Sequence, residues 1–108
     1  MALTTNLQDN AGGIAQHATG YVVTDAGAAA VTTFTCGFAP RLVRFHNVTD
    51  RISDEWLEGM AAASSIHTIA AGTRTLETTN GITVAGNGFS VTATTMVASK
   101  TFVWEAIG

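Results

Sequence analysis

Lysine is almost missing from this chain: it occurs once in 108 residues, at Lys100, and only 12% of residues are charged. Folded domains ordinarily carry about a quarter. With 5 Lys+Arg against 8 Asp+Glu the formal net charge is −3. Nucleic-acid binding needs clustered cations to displace counterions, and no cluster of that kind is present. Cysteine also occurs once, as Cys36. An internal disulfide is therefore excluded, and a small apolar packing role is expected for this residue. No apolar run is long enough to span a bilayer. "MALTTNLQDN" lacks both the basic and the apolar region of a signal peptide. The expectation is a protein made in a cytoplasm and kept there, or carried out within something larger.

What remains is 46% hydrophobic, with 11 glycines and much Thr, Ser and Ala. A surface built from such residues is cheap to desolvate and suits a protein that works against a partner. The length is that of one domain with its own core. Residues 1–19, "MALTTNLQDNAGGIAQHAT", follow neither the helical nor the strand period. They read as an extended N-terminal arm, with residues 20–108 as a single β domain. Burying Leu3, Leu7 and Ile14 of the arm on a neighbour would contribute about 1.5–3 kcal/mol each before ordering costs.

From Gly20 onward the pattern is β. "GYVVT" is short, β-branched and aromatic. "AAVTTFTC" sets Phe34 and Cys36 opposite Thr33 and Thr35. "PRLVRFHNV" sets Val43 and Phe45 opposite Arg44 and His46, and "KTFVWEAI" aligns Phe102, Trp104 and Ala106. Alternation with one apolar face marks half-buried strands. "RTLETTNGITVAG" reads as a hairpin turning at Asn80-Gly81, because that dipeptide suits a type I′ turn. "AAASSIHT" reads as a loop. The fold class expected is all-β: an antiparallel sandwich or small barrel of about seven to nine short strands.

One stretch, "NVTDRISDEWLEGM", holds Asp50, Asp54, Glu55 and Glu58, half of the acidic residues of the chain. As a helix it would repeat Ile52, Trp56 and Met60 every four residues. As a strand it separates Ser53, Glu55 and Leu57 from Asp54, Trp56 and Glu58. The strand is preferred, since every flanking segment is β. Paired carboxylates can cleave glycosides, but that chemistry also needs a cleft and stacking aromatics. Here aromatics are 7% of the chain, and most fall on expected core faces. No catalytic residue is assigned. His17, His46 and His67 are far apart with no metal-binding spacing, so neither a metal nor a cofactor is expected. "GITVAGNG" is followed by no helix that would bind phosphate. Asn47-Val48-Thr49 matches a glycosylation sequon, read as accidental.

Two blocks, "GFAPRLVRFHNVTDRISDEWLEGM" and "HTIAAGTRTLETTNGITVAGNGFSV", together with the closing "SKTFVWEA", resemble small virion proteins of tailed bacteriophages. The resemblance is to head proteins that decorate or cement the capsid, and it covers roughly residues 20 to 106. It implies a non-enzymatic structural protein on the capsid exterior, bound to the major capsid protein in many copies and often trimeric. No nucleic-acid or membrane partner is implied. On that reading Trp56 is a contact anchor, and Arg51, Asp54 and Glu58 form the polar rim that sets register. Two alternatives stay open. One is a tail, fibre or neck module of the virion. The other is a carbohydrate-binding module that stacks sugars on Tyr21, Trp56 or Trp104.

Overall fold

Period-two alternation is the dominant local signal, and the chain folds accordingly. The computed structural model describes residues 16–108. Its strands are β1 (His17–Val23), β2 (Thr32–Thr35), β3 (Leu42–Asn47), β4 (Ile52–Leu57), β5 (Ser64–Thr68), β6 (Arg74–Ala85), β7 (Gly88–Val91) and β8 (Thr101–Ile107). All pairings are antiparallel, in the order β1-β8-β3-β4-β5-β6-β7-β2. No helix occurs among the described residues. The expected arm contacts Leu3, Leu7 and Ile14 lie outside the described residues. The expected boundary at residue 19 falls inside a strand, because β1 begins at His17.

The sheet curls into a half-barrel. Phe34 sits on β2 at one end of the strand order, yet its ring lies 5.7 Å from that of Trp104 on β8 near the other end. Phe34 also stacks on Phe89 at 5.1 Å, and Phe89 meets Trp104 edge-on at 5.1 Å. These rings close the concave side over Val43, Phe45, Phe102 and Ala106, all buried. Aromatic pairs of this geometry contribute about 0.5–1.5 kcal/mol each beyond the area they bury. Cys36 packs against the same core, as its isolation in the sequence led one to expect. Gly20 on β1 faces Trp104 across the ladder, and a β-carbon there would run into the indole.

Two local expectations are corrected. "NG" at Asn80-Gly81 does not turn the chain; β6 runs through it as one strand of 12 residues. Neither residue takes positive φ. Ser65 pairs with Glu77 but Ser64 pairs with Ile82, so residues 78–81 have no partner on β5. The extra residues bend β6, which then leaves β5 to pair with β7. Gly81 is required by close approach, since a β-carbon would collide with the backbone of Ser64. The hairpin forms one step later, where Ala85 pairs with Gly88 across Gly86-Asn87. Finally, "SSIHT" is not loop but strand β5.

Candidate functional site

The acidic segment is strand β4, as preferred from its context, and its two faces have different fates. Asp54 and Trp56 point into the concave side, at 4% and 9% exposure. Glu55 and Leu57 point outward. Trp56 is a member of the core, and its Nε1 donates to the Ala61 carbonyl at 3.3 Å. This corrects the reading of Trp56 as a surface anchor and of Asp54 as part of its solvated rim: both are enclosed by the chain itself. Arg51 and Glu58 flank β4 at opposite ends and are exposed. Seven steps of extended chain place them roughly 20 Å apart, too far to ring one anchor. Arg51 takes φ 58° in the β3–β4 turn, while Glu58 accepts a 3.4 Å ion-pair contact from Arg41 Nε.

The convex face carries the exposed groups. Ladder pairing aligns Thr19, Glu105, Arg44, Glu55, Ile66 and Leu76 in one row across six strands. Arg44 Nε donates to Glu55 at 2.9 Å and its Nη1 to Glu105 at 3.1 Å. His17 Nε2 lies 2.9 Å from Glu105. The hydrogen bond from His17, reinforced by Arg44, holds the Glu105 carboxyl below its ordinary range. Hydrogen bonds to Glu55 and then Glu105 raise the Arg44 guanidinium. Ion pairs this open to solvent add little stability. Their effect is to fix the orientation of long side chains on a surface that also exposes large apolar groups. Around them stand Tyr21 (71% exposed), Val23, Leu57 and Leu76 (65%).

The concave side holds a mainly apolar pocket of about 220 Å³, with a few polar groups in its wall, beside the aromatic core. Phe45, Ile52 and Val97 supply apolar wall; Asp54, His67, Glu77 and Asn80 supply polar groups. Asp54 Oδ1 accepts the Ser65 hydroxyl at 2.7 Å and lies 2.8 Å from His67 Nδ1. A carboxylate only accepts, so Nδ1 carries the proton and, in the neutral ring, Nε2 is left as an acceptor. The arrangement is not that of a serine nucleophile: the Ser65 proton is committed to the carboxylate instead of being offered to the imidazole. Asp50 at the pocket margin is neutralised by Lys100 Nζ at 3.0 Å and held by Asn47 Nδ2 at 3.0 Å. That bond also engages the sequon nitrogen, and Asn47 is buried. Among the described residues no three His, Cys, Asp or Glu side chains group as metal ligands.

Ser65 and Glu77 were not singled out from sequence, while His67 was weighed only as a metal ligand and Asn80 only as a turn residue. The signal was available only in part: Ser65 and His67 alternate, so they share a face once the segment is a strand. Their partner Asp54 lies 11 and 13 residues away in the chain. As for sugar stacking, Trp56 and Trp104 are both buried, which leaves Tyr21 alone of the three aromatics considered.

No protein-family model, curated protein or solved structure matches the chain.

Proposed function

We propose that the chain is a structural assembly protein that binds repeated copies of a partner through the convex face of its sheet. Its specific role is decoration of a tailed-bacteriophage capsid, bound from outside to the major capsid protein. The protein is made in the host cytoplasm and acts as a homo-oligomer, with a trimer favoured. The observation that carries this reading is the convex face itself. It exposes Tyr21, Val23, Leu57 and Leu76 around the aligned His17–Glu105–Arg44–Glu55 network. Large apolar side chains exposed on one face mark contact surfaces, and the ion-paired charges among them set the register of the contact. The resemblance in the sequence supplies the capsid as partner. Individually weak contacts suffice there, because a symmetric lattice repeats them many times.

The test is sedimentation of purified chain with capsids that lack it, followed by imaging of the particles. Saturable binding at a copy number matching the lattice is expected. Tyr21→Asp and Leu76→Asp should keep the fold and lose occupancy. A few copies confined to one vertex would favour the tail or neck reading. Full occupancy by both variants would remove the convex face as the contact.

A further inference from the structure

From the concave pocket we infer a binding site for a primary alkylammonium group, either a small free amine or a lysine side chain of another protein. The inference stands apart from the convex face and its partner. Asp54 is the central observation. Its side chain is 5% exposed, and both of its hydrogen bonds fall on Oδ1. Oδ2 has no hydrogen-bond partner among the described residues. It is not sealed off either, because Thr92 Oγ1 is the side-chain polar atom that is both buried and unpartnered among those residues. Oδ2 is thus free to accept from a donor that enters the pocket from solvent.

Glu77 repeats the pattern. Its Oε1 accepts the Asn80 amide at 3.0 Å, and its Oε2 has no partner among the described residues. His67 lines the same space and, with Nδ1 committed to Asp54, is an acceptor at Nε2 when neutral. The third carboxylate, Asp50, already has its ammonium in Lys100. The pocket therefore joins carboxylate oxygens of Asp54 and Glu77 to an apolar wall of Phe45, Ile52 and Val97.

That chemistry selects a ligand with a cationic head and a short aliphatic body. It also selects ammonium over guanidinium. A guanidinium is gripped best by two oxygens of one carboxylate, and neither Asp54 nor Glu77 has two to give. An ammonium is a compact charge with three donors and can take one oxygen from each. The alkyl body would lie along the apolar wall, as lysine stems do on apolar surfaces.

The experiment is an amide-resolved NMR titration of the full chain with n-butylammonium, with n-butanol and butyrate as neutral and anionic controls. Nα-acetyl-lysine methylamide forms a second arm. Saturable shifts at Asp54, His67, Glu77 and Asn80 with a Kd of about 1 mM are expected for butylammonium, and none for butyrate. Asp54→Asn keeps the volume and an acceptor for Ser65, and should weaken binding about tenfold. Glu77→Gln, at a half-buried site away from the core, should weaken it severalfold. Tighter binding of the lysine compound would assign the pocket to a protein side chain, and tighter binding of the simple amine to a small ligand. Equal binding of butanol and butylammonium, or no saturation by any of them, would overturn the inference. So would undiminished binding by the folded Glu77→Gln variant.

Discussion

Replacing Trp56 with alanine tests whether this side chain belongs to the chain's own core or to a contact with something else. The structure places the indole at 9% exposure within the buried cluster, with Nε1 bonded to the Ala61 carbonyl. Truncating a buried aromatic to alanine costs about 3–5 kcal/mol. The hydrogen bond to Ala61 adds about 1 kcal/mol. A domain of this size has a total stability of about 5–15 kcal/mol, so the loss would be a large fraction of the whole. It corresponds to a fall in midpoint temperature of about 15–30 °C. Trp56→Phe keeps most of the apolar area and should lose only about 1–2 kcal/mol. Urea denaturation followed by circular dichroism and by the remaining Trp104 fluorescence measures both variants. A Trp56→Ala loss under 1 kcal/mol with an unchanged m value would refute the assignment to the core and return Trp56 to the surface.

Gly81→Ala should destabilise by about 1–3 kcal/mol, because the added carbon must displace the Ser64 backbone; the cross-strand NOE between Ser64 and Ile82 should weaken with it. Glu105→Gln bears on acid stability. The folded carboxyl is held below the ordinary value of 4.5, so its contribution is present above that pH and disappears as the pH falls through the lowered value. The difference in stability between wild type and Glu105→Gln should thus shrink across that acid window, and more so at low salt, as pH-dependent denaturation would show. Deleting residues 1–15 leaves β1 whole; it should leave the circular dichroism unchanged yet reduce occupancy on capsids, through loss of Leu3, Leu7 and Ile14. Equal occupancy would assign the arm no part in binding.

How much was legible in the sequence varies by element. Strands β2, β3 and β8 could be read directly, since each alternates with one apolar face turned to the core. Strand β4 was legible in its type and in which residues share each face. Its depth was not, because a single strand does not reveal which of its faces meets another layer. Asp54 and Trp56 share their face with Phe45 and Trp104 by register, and that shared face decided their burial. The Asn80-Gly81 signal failed for a related reason. The dipeptide satisfies a turn, but it also satisfies a bend in which a small residue must lie against another strand.

By itself the sequence determined an all-β fold with antiparallel pairing, a charge-poor composition and a set of apolar faces. Those properties follow from composition and from the period of two, which are local. Only the tertiary structure decided the curl of the sheet, the enclosure of Trp56 and the meeting of Asp54, Ser65 and His67 beside Glu77. Such juxtapositions depend on the register between strands far apart in the chain, and a slip of one residue would send each of these side chains to the opposite face.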